Sequence, residues 1–95
     1  MAQFAIYRLD GHGLVVDCQS DLLSDLRSRA VAPLREAGED SVAFSRLNPC
    51  IAIDGVAYRV ATLFLRSVDR RLLGEQVGSA DEIEREIKAA LDMLI

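Results

Sequence analysis

The feature that most constrains the fold of this chain is the pair Asp54-Gly55, set between two runs of apolar and small residues. Cys50-Ile51-Ala52-Ile53 leads into it and Val56-Ala57-Tyr58-Arg59-Val60 leads away. Both central positions of a type I′ turn need positive φ, which glycine takes freely and aspartate at small cost. The spacing therefore predicts a two-residue β-hairpin. A second hairpin is read near the N-terminus. Gln3 to Leu9 sets Phe4 and Ile6 against Gln3, Ala5 and Tyr7, Asp10-Gly11-His12-Gly13 breaks the run, and Leu14 to Cys18 resumes it.

Between the hairpins the pattern is weaker. Asp21 to Arg29 is polar with Leu22, Leu23 and Leu26 embedded, and reads as a loop or short helical turn. Ala30 to Leu34 reads as a short strand ended by Pro33, which cannot donate to a ladder. Arg35 to Asp40 reads as a turn around Gly38, and Ser41 to Ser45 as another short strand. Beyond the second hairpin, Leu63-Phe64-Leu65 is apolar, Ser67 to Arg71 polar, and Leu72-Leu73 returns to the core.

The last segment changes period. Ser79 and Glu82 have the spacing of a capping box, and Ile83, Ile87, Leu91 and Leu94 recur at helical intervals with Ala90 on the same face. The expected architecture is mainly β with one C-terminal helix, a single domain over residues 1–95. So short a chain has a thin margin of buried surface, which a homodimer interface would supplement.

Charge narrows the function. The net charge is −4, and residues 80–95 supply most of it, with five acidic against two basic residues. That argues against gripping nucleic acid by a net basic face, though not against a local basic patch. The N-terminal residues lack the pattern of a signal peptide. Cys50 to Leu65, the most apolar stretch, carries Asp54 and Arg59 and is not a membrane span. Cys18 and Cys50 have no metal or redox spacing and read as buried reduced thiols, in keeping with a cytoplasmic protein.

Catalytic constellations are sparse. His12 stands between glycines in an expected turn, where a general base lacks a positioned partner. Asp17 and Asp21 read as solvated acids. No phosphate loop, nucleophile elbow or metal-ligand cluster is present, so no cofactor and no metal are expected. Arg66, Arg70 and Arg71 read as a solvated loop with the makings of an anion-binding spot. Leu22 and Leu23 cannot both face a sheet core if extended, and an exposed apolar pair marks a partner contact. Met93, Leu94 and Ile95 are more apolar surface than one helical stripe can bury, which points to a subunit or partner contact through Met93 and Leu94.

Several segments together resemble the CcdB family of toxins from toxin–antitoxin pairs. Gln3-Phe4 with Tyr7 resembles the family's opening strand, and Val16-Asp17-Cys18-Gln19-Ser20-Asp21-Leu22-Leu23 its V-D-x-Q-S-D signature followed by two aliphatics. Pro33-Leu34, Leu47-Asn48-Pro49, the hairpin at Ile53, Arg59, Gly74-Glu75-Gln76-Val77, and Glu86-Ile87-Lys88 with Ala90-Leu91 continue the likeness.

The resemblance implies an SH3-like barrel of the CcdB/MazF type, antiparallel, with a C-terminal helix and a homodimer built through it. It implies a toxin that is not an enzyme, binding the A subunit of DNA gyrase and trapping it on cleaved DNA. A CcdA-type antitoxin would neutralise it, and operator DNA would be bound only through that complex. Leu22 and Leu23 stand where the family uses two isoleucines against gyrase, Asp92 where it has an Asn, and Ile95 where a Phe precedes a terminal Trp-Gly-Ile that this sequence does not contain. An aromatic anchor of that kind is worth about 2–4 kcal/mol at an interface. Two alternatives stand beside this: a non-toxic relative that binds antitoxin only, and a ribonuclease like the MazF toxins, drawing on Arg59, Thr62 and the Arg66–Arg71 cluster.

Overall fold

The computed structural model describes residues 2–11, 13–37 and 46–94. Among these residues seven strands and one α-helix follow in order: β1 Ala5–Leu9, β2 Gly13–Asp17, β3 Ser28–Glu36, β4 Cys50–Ile53, β5 Val56–Val60, β6 Arg66–Asp69, β7 Leu73–Ser79 and α1 Glu84–Asp92. All pairings are antiparallel, in the order β4-β5-β3-β2-β1-β7, with β6 also on β3. The sheet curls into a half-barrel with the helix packed on one face, the SH3-like arrangement that the resemblance implied.

Both predicted hairpins form. Asp54 and Gly55 take φ of 50° and 81°, and Ile53 pairs with Val56 across them. β1 and β2 pair from Leu9↔Gly13 to Ile6↔Val16. The alternation of β1 serves two cores. Phe4 and Ile6 face Val16, Ala32, Leu34, Val60 and Ile87, while Ala5, Tyr7 and Leu9 face Val15 and Val31 under Val68 and Leu73. Ile87 is wholly buried against the first core, with Ile83 and Leu91 flanking it, so the helical stripe covers one face of the sheet.

β3 runs through Pro33 instead of ending there. Its N-terminal part pairs with β6 as far as Val31↔Arg66, and its C-terminal part with β5 from Leu34↔Val60. Pro33 sits at the changeover, and its carbonyl accepts from Ala61 N at 2.9 Å. In a strand a residue's N and O point the same way, so the proline nitrogen faces the gap between two partners and no ladder bond is lost.

Other expectations fail for local reasons. The capping box does not form: Ser79 is still in β7, its hydroxyl accepts from Asp81 N at 3.2 Å, and the chain enters α1 through a 3₁₀ turn, Asp81–Ile83. Leu72, expected in the core, is exposed, as are Leu63, Phe64 and Leu65, because 3₁₀ turns at Arg70–Leu72 and Thr62–Phe64 swing them outward, while Leu73 does pack on the second core. Cys18 is buried as expected, but Cys50 opens an edge strand and is exposed. Burial, with the charge of Asp17 second, pushes the Cys18 thiol up to about 12. The expected strand at Ser41 to Ser45, Gly38 and His12 lie outside the described residues. No helix among the described residues is long and apolar enough to cross a membrane.

Candidate nucleic-acid interface

The motif that carried the family resemblance turns out to be a bracket. Asp17 and Arg29 are fully buried, with Arg29 Nε and Nη2 donating to Asp17 Oδ2 at 2.9 and 2.7 Å. Asp17 Oδ1 accepts from Gln19 N at 3.0 Å. Gln19 accepts from Ala30 N at 3.0 Å and donates to Leu23 O at 2.7 Å, tying β3 to the 3₁₀ turn Asp21–Leu23. Ser20 Oγ accepts from Leu22 N, and Asp21 Oδ1 accepts from Gln3 N at 2.8 Å. Asp17 is thus no solvated acid. A buried carboxylate survives here because its charge is matched and both oxygens are hydrogen-bonded.

This bracket presents Leu22 at 95% exposure and Leu23 at 50%. Asp92 and Leu94 are exposed at the end of α1, Met93 is 58% exposed, and Ile95 lies outside the described residues. The helix packs on the turns at Thr62–Phe64 and Asp81–Ile83, and no hydrogen bond or ion pair among the described residues joins Asp92 or Met93 to the Leu22 turn.

What the fold does assemble is a strip of arginines. Arg35 of β3 lies directly opposite Arg59 of β5, and residues so paired share a face. Arg66 opens β6 on the same side, opposite Val31. Like charges placed opposite one another are destabilising, so each guanidinium needs relief. Arg59 Nη1 donates to Asn48 O at 2.9 Å, but its buried Nε has no partner. The Arg35 guanidinium carbon sits 4.7 Å from the centre of the Phe64 ring, a cation–π contact. Ion pairs among the described residues are Arg29–Asp17, Arg71–Asp69 and Lys88–Glu84, and none involves this strip. Pro33, Leu34, Arg35, Phe64 and Arg66 line an open groove of about 320 Å³ there.

A larger groove, about 650 Å³, lies between α1 and the segment entering β4, lined by Arg46, Pro49, Cys50, Arg85, Glu86, Ala89 and Met93. Its lining includes one exposed carboxylate, Glu86, and two guanidiniums, Arg46 and Arg85. Segment 46–50 touches both places, since Arg46 lines this groove while the Asn48 carbonyl receives Arg59.

Thr62, named in the sequence, is fully buried and donates to Leu47 O, so it holds the turn and cannot reach a substrate. Arg71 is engaged by Asp69, whose carboxylate accepts from Arg71 N at 2.9 Å and from its side chain. The Arg71 backbone N–H first, and then its side chain, hold the Asp69 carboxyl below the usual aspartate value. The Arg66–Arg71 cluster therefore splits, and Arg66 alone joins the strip. Arg35 and Phe64 were not singled out from sequence, and Glu86 was named only as part of the closing-helix likeness. Phe64 carried a signal, because three consecutive apolar residues cannot all enter one core. Among the described residues no group could hold a metal ion.

Two solved structures share the fold over nearly the whole chain. One is described as an Mtb toxin, with TM-score 0.78 and 14% identity over 95% of this chain and 99% of that one. The other is the Mycobacterium tuberculosis toxin MazF-mt6, with TM-score 0.73 and 16% identity over 97% and 94%. These findings overturn the reading as a non-enzymatic gyrase poison, and with it the gyrase A subunit and the CcdA-type antitoxin as named partners. The residues assigned to gyrase are divided between the Leu22 turn and the end of α1, while the assembled charge lies on β3, β5 and β6. A family model described as CcdB protein matches residues 3–95, and the chain belongs to the CcdB family.

Proposed function

We propose that this chain is the toxin of a toxin–antitoxin pair and that it acts in the cytoplasm, as a single domain, by cleaving RNA. The observation that carries the reading is the strip Arg59, Arg35 and Arg66, free of carboxylate partners among the described residues, on a chain of net charge −4. An acidic protein gains nothing from opposed, unneutralised guanidiniums unless an anion covers them, and a phosphate backbone is such an anion. The fold shared with the toxin MazF-mt6 agrees with this direction.

In this reading the 650 Å³ groove contributes a base and two cations to the cleavage. Glu86 takes the proton of a ribose 2′-hydroxyl, and the oxygen attacks the adjacent phosphorus. The bond to the 5′-oxygen breaks, that oxygen takes a proton from a solvent water as it leaves, and Glu86 gives up the proton it took to solvent. The products are a 2′,3′-cyclic phosphate and a 5′-hydroxyl. Arg46 and Arg85 stabilise charge developing on the phosphoryl oxygens.

The test is incubation of purified protein with a labelled RNA, with its all-deoxy counterpart as control. Cleavage of the RNA alone, lost in Glu86→Gln, is expected. RNA left intact by folded protein overturns the proposal, and cleavage undiminished in Glu86→Gln overturns the role of Glu86.

A further inference from the structure

The groove beside Phe64 has a shape that the arginine strip alone does not explain. Phe64 is 56% exposed, although burying such a ring is worth about 1.5–3 kcal/mol. It is nonetheless not loosely held. The turn Thr62–Phe64 is closed by Phe64 N to Ala61 O at 3.0 Å and Leu65 N to Thr62 O at 3.1 Å, and Thr62 is buried and bonded to Leu47 O. The ring therefore stands out from an anchored turn. The Arg35 guanidinium rests against it, and Arg66 lines the same groove beside Pro33.

Resting on the RNA reading above, we propose that Phe64 and Arg35 form a seat for one unpaired nucleobase and that Arg66 holds a neighbouring phosphate. A flat π surface and a planar cation are the groups on which unstacked bases lie, and a second guanidinium within the groove suits the phosphate that accompanies them. The groove, about 320 Å³, has room for one nucleoside and not for a base pair with its stacked neighbours. The strand recognised is accordingly single-stranded at this point. A duplex, whose bases are already stacked on one another, cannot enter. An acidic peptide would satisfy the arginines but would make no use of the ring.

The experiment is fluorescence anisotropy with a short labelled single-stranded RNA, in the Glu86→Gln background so that binding is read without cleavage. Phe64→Ala should weaken binding about tenfold, as expected from the loss of one base–aromatic stack. Phe64→Trp should restore it, and Leu63→Ala, a change to an exposed neighbour, should leave it unaltered. An RNA bearing 2-aminopurine should show quenched fluorescence when bound to the Phe64 protein and not to Phe64→Ala. A duplex of the same sequence should bind weakly, and poly-glutamate should fail to compete. Equal binding by Phe64→Ala, with RNA still cleaved by the parent protein, overturns the seat and leaves the ribonuclease reading standing. Absence of any RNA binding overturns both. Competition by poly-glutamate as strong as by RNA would replace the nucleobase with an acidic peptide.

Discussion

Arg29 places Nε and Nη2 on a single oxygen of Asp17, at 2.9 and 2.7 Å, with neither side chain open to solvent. Removing one partner leaves the other charge buried and unmatched, which costs about 3–5 kcal/mol. Asp17→Asn should lower stability by that amount in urea unfolding. The double variant Asp17→Asn with Arg29→Met should lose less than the two single changes summed. An unfolding midpoint unmoved by Asp17→Asn would mean that the pair is hydrated in solution.

Leu22 and Leu23 present the opposite case. Both side chains stand in solvent on a turn held by Ser20 and Gln19, so their replacement removes little buried surface. Changing both to Ser should shift stability by less than about 0.5 kcal/mol per site. A loss of several kcal/mol would place them in the core.

The two cysteines should differ sharply in reactivity. Cys18 is buried, with its thiol pushed up to about 12, while Cys50 is exposed. An alkylating reagent near pH 8 should label native protein once, at Cys50, and a second time only after denaturation. The folded Cys18 thiol titrates above the unfolded one. Its contribution to stability is therefore whole below about pH 8.5 and is lost as pH rises toward the folded value. Labelling of Cys18 in the native state would refute its burial.

Asp69 titrates in the other direction. The Arg71 backbone N–H is the first cause of its lowered value and the Arg71 side chain the second. Arg71→Ala should therefore raise the Asp69 midpoint, read by NMR, only part of the way to an ordinary aspartate. The contribution of this contact is present above about pH 4 and is lost as pH falls through the folded midpoint. A full return to the ordinary value in Arg71→Ala would show that the side chain is the whole cause.

At the second hairpin, Gly55 has φ of 81° with nothing near the position a Cβ would occupy. Gly55→Ala should cost about 1–2 kcal/mol from backbone strain alone. A crystal structure of the variant should show no displaced neighbours. Unchanged stability would mean that the turn has switched type.

Sequence made legible what depends on near neighbours. Asp54-Gly55 encodes its turn within two residues, and Ile83, Ile87 and Leu91 write their period along one helix. Asp17 and Arg29 meet only because β2 and β3 pair, so nothing adjacent to either residue announces the other. β7 carries Gly74 and Gly78, which weaken any strand pattern. Gly74 is there because a Cβ would come within 3.2 Å of the Arg8 carbonyl, a demand set by β1. The arginine strip was hidden for a similar reason. Arg35, Arg59 and Arg66 are spread along the chain and become neighbours through pairing, whereas Arg66, Arg70 and Arg71 are close in sequence and are parted by the turn between β6 and β7.

β3 binds β2 along one edge and divides its other edge between β6 and β5, meeting Asp69 at Ser28 and Val60 at Leu34. The two hairpins can each close within about 1–10 microseconds, because their strands are joined by short turns. β3 must instead wait for partners far along the chain, and sheets built on such distant pairings take milliseconds to seconds, as an order of magnitude. A finished fold therefore waits on the pairings that reach farthest along the chain, β3 with β6 and, farther still, β1 with β7. Substitutions at Ala32 or Leu34 should slow folding, while those in the Asp54-Gly55 turn should govern how readily one hairpin opens afterwards.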